Sequence, residues 1–321
     1  MKLKTLGLGL MIAITASHVN ASGIQTVESS FISSNYAKTK YPVLFNHGMF
    51  GFTRLGTSSF GFDYFYQILP DLARNGATVY ASQVSPIEST EIRGEQLLQQ
   101  VDEVLALTGS SKVNLIGHSH GGPTIRYIEI VAPAKVASLT AVAGTFKGTK
   151  VADDMLSNAP VKLLLTIFGQ YIIAPLETIL EGNPNLPNNL ERSLKSISEE
   201  GALEFNRKYP TAAIPTNCGQ GQKVTENGVY HYSWSGKAQL TNPLDVIDVS
   251  ISQLAPTAYG DKENDGLVSR CSTHLGQVIR DDYNQTHLDQ VNLILGLKAS
   301  FGQDPVSLYR QQLNRLKLEG L

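Results

Sequence analysis

At 321 residues the chain is long enough for one large α/β domain, or two small ones, with a sizeable core. A formal net charge of −2 and a pI near 6.4, with no block of like charge, exclude a nucleic-acid surface built on basic clusters. No internal repeat or low-complexity tract is present, which excludes solenoids and disordered arrays.

The N-terminus reads as an export signal. Lys2 and Lys4 precede an apolar run over residues 6–16, and Val19-Asn20-Ala21 offers a small-residue cleavage site. The run is too short to span a bilayer comfortably. Cleavage after Ala21 removes both lysines and takes the net charge from −2 to −4. Residues 1–21 are therefore set aside as a signal peptide, and residues 22–321 are expected to form a single domain outside the cytoplasm. In that compartment Cys218 and Cys271 are expected to pair.

Pro42-Val43-Leu44-Phe45-Asn46 has the composition of a buried strand and runs directly into His47-Gly48-Met49-Phe50-Gly51. Residues 64–74 have helical spacing with Pro70 inside, and Asn75-Gly76 ends them. Thr78-Val79-Tyr80-Ala81 is the next strand. Over residues 90–108 the positions Ile92, Leu97, Leu98, Val101, Val104 and Leu105 form one helical face, and Gly109 is the expected stop. Val113-Asn114-Leu115-Ile116 is a strand, residues from Pro123 onward a helix, and residues 136–142 another strand. Strands alternating with helices predict right-handed crossovers and a parallel sheet, the α/β class.

Between the strand and the helix lies Gly117-His118-Ser119-His120-Gly121-Gly122. A G-x-S-x-G sequence in that setting is a nucleophile elbow. The reversal strains the serine backbone and leaves no room for a side chain at either glycine. It projects the Ser119 hydroxyl above the sheet with a helix N-terminus beneath it.

The alternation then stops over residues 150–186. Residues 161–180 are largely apolar, interrupted by Lys162, Gly169, Gln170, Pro175 and Glu177, and read as a helical insertion over the C-terminal edge of the sheet. Helical patterns continue to Arg207, a proline-bearing loop leads to Cys218, and Tyr230-His231-Tyr232-Ser233-Trp234 alternates as a strand. Residues 245–254, 291–295 and 305–318 have helical patterns.

A serine hydroxyl needs a base, and the base needs an orienting carboxylate, in the chain order Ser, Asp or Glu, His. Three histidines lie well downstream of Ser119. His231 sits inside a strand and His274 lies three residues from Cys271. His287 lies in a late polar loop and is the chosen base. In the turn-rich run Gly260-Asp261-Lys262-Glu263-Asn264-Asp265-Gly266, residue logic does not separate Asp261, Glu263 and Asp265. Asp265 is preferred because Gly266 frees the backbone beside it.

Several motifs in one order carry a resemblance across the mature chain. They are Tyr41-Pro42 leading into His47-Gly48-Met49-x-Gly51, Gly117-His118-Ser119-His120-Gly121-Gly122, Leu240-Thr241-Asn242-x-Leu244-Asp245 and Asn264-Asp265-Gly266-Leu267-Val268. Arg270-Cys271, His287-Leu288-Asp289-x-Val291-Asn292 and Tyr309-Arg310-Gln311-Gln312 complete the set. The chain resembles the Pseudomonas-type secreted true lipases, triacylglycerol lipases of α/β-hydrolase fold. In that fold a mostly parallel central sheet is flanked by helices and carries a helical lid insertion.

The resemblance implies a triad of Ser119, Asp265 and His287, with oxyanion donors at the backbone N–H groups of Met49 and His120. It implies a Cys218–Cys271 disulfide and one structural calcium ion on the side chains of Asp245 and Asp289 and the carbonyls of Leu293 and Leu297. Leu293 departs from the glutamine of some relatives, but only its carbonyl would bind. Asp289 on residue grounds alone is a helix N-cap. The resemblance also implies acylglycerol substrates met at a lipid–water interface, a dedicated foldase chaperone, and secretion through the periplasm. Val161-Lys162-Leu163-Leu164-Leu165-Thr166-Ile167-Phe168 then reads as a lid whose apolar face covers Ser119 in water and opens on oil. Competing readings are a broader carboxylesterase or acyltransferase, and a non-catalytic lipid binder.

Overall fold

A computed structural model describes residues 15–19, 23–56, 61–157, 185–260, 262–293, 295–300 and 302–321. The strands are β1 (Thr15–Val19), β2 (Gln25–Ser29), β3 (Val43–Asn46), β4 (Arg54–Gly56), β5 (Gly61–Asp63), β6 (Val79–Ser82), β7 (Val113–His118), β8 (Val136–Val142), β9 (Tyr230–Gly236) and β10 (Gln277–Tyr283). Eight form one sheet in the order β1-β2-β6-β3-β7-β8-β9-β10, and β4 pairs with β5 apart from it. From β6 to β10 every pairing is parallel, while β1 and β2 run antiparallel at one edge.

Both faces of the central strands are covered, which is why β3, β6, β7 and β8 are largely apolar. Val43, Phe45, Val79, Ala81 and Ile116 point to one core layer. Leu44, Tyr80, Val113 and Leu115 point to the other. The first layer is closed by α1 (Ile68–Arg74) and α8 (Pro305–Leu318), through Leu72, Tyr309 and Leu313. The second is closed by α2 (Thr90–Thr108) and α3 (Gly121–Val131), through Leu97, Val101, Ile125 and Ile128.

Helix α2 runs over the residues its periodicity marks. The Ser89 hydroxyl caps its first turn, and Gly109 ends it in the left-handed region at φ 65°. Helix α8 likewise matches its pattern, with Asp304 as cap and Pro305 at its first position. Helix α1 is shorter than its spacing suggests and starts at Ile68; α3 starts two residues earlier than expected, at Gly121.

Among the described residues of 291–295 the expected helix is not formed. A single 3-10 turn, Asp289–Val291, ends at Asn292, and both Asn292 (φ 58°) and Leu295 (φ 49°) leave the helical region. The Asn292 amide is drawn off to donate to the carbonyl of Tyr66 at 3.0 Å. Strand β10, polar along most of its length, carries no sequence signal. It forms because β9 presents an open edge.

Around the C-terminal ends of the strands stand α4 (Lys150–Leu156), α5 (Leu190–Ile197), α6 (Glu199–Lys208) and α7 (Val246–Tyr259). Residues 158–184, including the segment 161–168 read as a lid, lie outside the described residues. Among the described residues no helix is long and apolar enough to cross a membrane. The Cys218–Cys271 disulfide is formed and ties the proline-bearing loop to the turn before β10.

Candidate active site

Strand β7 ends at His118, α3 starts at Gly121, and Ser119 between them has φ 54°. A non-glycine residue in that region costs about 1–3 kcal/mol and persists only where its surroundings over-determine it. Here they do. The Ser119 N–H donates to the carbonyl of Val142 on β8 at 2.9 Å, and the Ser119 carbonyl accepts from Gly122 N–H at 2.9 Å. A β-carbon on Gly117 would lie 2.2 Å from the Gly121 oxygen, and one on Gly121 would lie 2.5 Å from the Asn46 oxygen. The glycines are thus set by strand-to-helix and strand-to-loop contact, as the motif requires.

His287 Nδ1–H donates to Asp265 Oδ2 at 2.8 Å, and its backbone N–H donates to the Asp265 carbonyl at 2.8 Å. The Asp265 carboxylate is fully buried and fully used. Its Oδ1 accepts from the N–H groups of Leu267 (3.2 Å) and Val268 (2.9 Å), and Oδ2 also accepts from Gln290 Nε2 (2.9 Å). Gly266 is needed beside it: φ is 101°, and a β-carbon would lie 2.0 Å from Ile251. With Nδ1 committed to the carboxylate, Nε2 is the ring nitrogen left for a substrate or a serine. Ser119 and His287 line one cavity, whose walls are otherwise largely apolar: Phe52, Leu55, Val151, Leu194, Ile247 and Leu288 among them.

Among the described residues, the backbone N–H groups of Met49 and His120 donate to no other group. Met49 follows β3, the strand beside β7, so both N–H groups leave neighbouring strand ends. The loop bearing Met49 is braced by Arg93 of α2, whose guanidinium is fully buried. It donates to the carbonyls of Ser85 (2.6 Å), His47 (2.6 Å) and Gly48 (3.4 Å) and to the Thr124 hydroxyl (3.3 Å). No carboxylate pairs with it among the described residues, so its charge is compensated by carbonyl dipoles and the Thr124 hydroxyl. Burial lowers its pKa to about 9, which leaves it cationic at neutral pH.

Burial and the Arg93 charge lower His47 to about 3, and burial holds His120 well below the usual imidazole range. Both rings are neutral. His47 Nδ1–H donates to the Gly48 carbonyl (2.8 Å), while His120 Nε2 pairs with the Thr90 hydroxyl (2.9 Å).

Residues 41–242 match the alpha/beta hydrolase fold family. The chain is 47% identical over 289 residues to a triacylglycerol lipase of Vibrio cholerae, covering 89% of this chain and 90% of that one. It is 37% identical to a triacylglycerol lipase of Pseudomonas fragi, covering 88% and 98%. The chain belongs to the α/β-hydrolase family of bacterial triacylglycerol lipases. The fold is also that of a mature Bacillus licheniformis lipase, with a TM-score of 0.59 at 18% identity over 86% of this chain and 94% of the other.

Within this family member the rejected histidines have structural partners. His231 Nε2 meets Glu129 Oε2 at 2.8 Å, and His274 meets Asp281 Oδ2 at 3.0 Å beside the disulfide. Of the three candidate acids, Glu263 pairs with Lys237 and Arg270 on the surface, and Asp261 lies outside the described residues.

Asp245 caps α7, its Oδ1 accepting from Ile247 and Asp248 N–H. Asp289 Oδ2 accepts from the Thr241 hydroxyl (2.7 Å) and Thr286 N–H (3.0 Å). Asp289 thus caps no α-helix. Among the described residues no group of three or more His, Cys, Asp or Glu side chains is gathered as a metal cage.

Two site residues were not legible in the sequence: Gln290 and Arg93. Gln290 occupies the variable position of His287-Leu288-Asp289-x-Val291, and Arg93 lies on the buried side of an otherwise amphipathic helix. No local pattern marks either one.

Proposed function

We propose that the protein is a secreted triacylglycerol lipase that cleaves acylglycerol esters through an acyl-serine intermediate. The observation that carries this reading is the His287–Asp265 pair facing the same apolar cavity as a strained, elbow-borne Ser119.

In the proposed reaction His287 Nε2 takes the Ser119 proton as Oγ attacks the ester carbonyl. The N–H groups of Met49 and His120 receive the oxyanion, and aligned donors of this kind supply about 3–4 kcal/mol each. The imidazolium, stabilised by Asp265, then protonates the leaving alcohol. Water, activated by the same Nε2, attacks the acyl-serine and releases the fatty acid. Each proton taken is returned, so the enzyme is regenerated.

The apolar lining suits acyl chains: burying each large side-chain equivalent contributes roughly 1.5–3 kcal/mol. That supports a lipase over an esterase for short dissolved esters. The test is turnover of emulsified and dissolved esters by wild type and Ser119→Ala. Undiminished hydrolysis by a folded Ser119→Ala protein would falsify the nucleophile assignment. A preference for dissolved short esters would support the carboxylesterase reading instead.

A structural calcium ion on Asp245, Asp289 and the carbonyls of Leu293 and Leu297 belongs to the same proposal. Asp245, Asp248 and Asp289 are all buried and repel one another, and burial raises Asp289 to about 6. Among the described residues Asp245 Oδ2 and Asp289 Oδ1 carry no hydrogen bond, and no lysine or arginine pairs with either carboxylate. Hard oxygens with spare lone pairs and uncompensated charge fit such a cation, which would neutralise them and pin the loop after His287. Secretion through the periplasm rests on the signal-like residues 1–21, and a foldase partner rests on family resemblance.

A further inference from the structure

The parts of the site come from different places in the sheet. Met49 and Ser119 follow β3 and β7, adjacent strands paired Asn46 to Gly117. Their register is therefore set by strand pairing. His287 follows β10, which is separated from β7 by β8 and β9. Pairing between β9 and β10 also slips twice. The sheet alone leaves the histidine loop poorly registered against the oxyanion loop.

A buried chain of hydrogen bonds closes that gap. Gly48 N–H donates to Tyr64 Oη at 3.2 Å, Tyr64 Oη lies 2.7 Å from His118 Nδ1, and His118 Nε2 lies 3.0 Å from the His287 carbonyl. A carbonyl only accepts, so His118 must carry its proton on Nε2. Its Nδ1 then accepts from the Tyr64 hydroxyl, whose oxygen accepts from Gly48. Every bond points the same way, from the oxyanion loop to the histidine loop, and each polarises the next.

The chain is also sterically tight. A β-carbon on Gly48 would lie 2.9 Å from both Tyr64 Oη and Ser119 Cβ. The Tyr64 ring is held edge-on by Phe52 and Phe65, and the His118 ring packs 4.6 Å from that of His287. Burial and the neighbouring His287 keep His118 neutral, so the relay does not reverse at working pH.

We propose that Tyr64 and His118 are positioning residues of the acyl-transfer site, forming a one-directional relay that holds the Met49 oxyanion donor and His287 in register with Ser119. The inference rests on the acyl-serine reading above. It assigns these side chains no contact with the reacting atoms; they act through Gly48 and His287.

The test is steady-state hydrolysis of p-nitrophenyl butyrate by wild type, Tyr64→Phe, His118→Asn and the double variant. Rates are taken per active site titrated with a phosphonate, so a partly folded preparation still reports on its competent fraction. Tyr64→Phe keeps the ring and deletes one oxygen, leaving Gly48 N–H and His118 Nδ1 unpartnered. We expect kcat to fall about 10- to 100-fold with KM within about threefold of wild type.

Affinity for phenylboronic acid, which forms a tetrahedral serine adduct, should weaken by the same factor as kcat/KM. The double variant should lose little more than the worse single one, because both break one chain. Turnover by Tyr64→Phe within about twofold of wild type would overturn the relay, as would single losses that multiply in the double variant. Should Tyr64→Phe yield no titratable sites, boronate binding and kcat of His118→Asn decide alone, by the same proportionality. A wild-type chain with no esterase activity would instead overturn the lipase reading itself.

Discussion

Lowering the pH from 7 to 5 should destabilise this fold, because the floor of the site is built on histidines kept neutral. His47, His118 and His120 are each at most 1% exposed, and burial depresses all three below the usual 6.5, His47 to about 3. In the unfolded chain the same rings protonate near 6.5. Unfolding therefore takes up protons, and stability falls as pH drops below about 6.5 toward the folded values.

At pH 5 the His47 ring, locked neutral with a folded pKa of about 3, costs about 2 kcal/mol against a typical total of 5–15 kcal/mol, and His118 and His120 act in the same direction. His274, lowered by burial but still paired with Asp281, adds in the same direction. The assay is urea unfolding at pH 7, 6 and 5 in saturating calcium. The slope near pH 5 should correspond to at least the one proton of His47, or about 1.4 kcal/mol per pH unit. His120→Gln should reduce it. A stability constant to within about 1 kcal/mol from pH 7 to 5 would refute the reasoning, since it would mean these rings charge within the fold.

Three further outcomes are expected. Calcium chelation at pH 7 should lower the unfolding midpoint by several degrees, corresponding to about 3 kcal/mol for a site held at a hundred times its Kd; differential scanning calorimetry of wild type and Asp245→Ala checks it, and a chelator-insensitive wild type would count against the ion. Gln290→Leu, which removes one of four donors to the Asp265 carboxylate, should reduce kcat about 3- to 30-fold with KM little changed; equal kcat values would leave Gln290 without a role in orienting the acid. Replacing Cys218 and Cys271 by serine opens a loop with a sequence separation of 53 and should cost about 4 kcal/mol of unfolding free energy, read by urea titration.

The amino-acid sequence by itself determined whatever is written in local pattern. The spacing of Leu97, Leu98, Val101 and Val104 with Gly109 behind them delimits α2, Asp304-Pro305 opens α8, and the glycines about Ser119 admit only a tight strand-to-helix turn. Burial on both faces is likewise visible in the predominantly apolar sequences of β3 and β7.

Tertiary structure decided what depends on partners distant in the chain. That the Asp265 carboxylate meets an imidazole rests on contacts 22 residues away with His287 and 25 residues away with Gln290. The bracing of the Met49 loop by Arg93 spans 46 residues, and the hydrogen bond from His118 to the His287 carbonyl spans 169. Polar β10 is a strand only because β9 leaves an edge for it, and the 3-10 turn Asp289–Val291 ends at Asn292, in the left-handed region with its side chain bonded to Tyr66. Periodicity records which side of an element is buried. It carries no record of which distant donor or acceptor meets it there, because that is fixed only when the chain closes on itself.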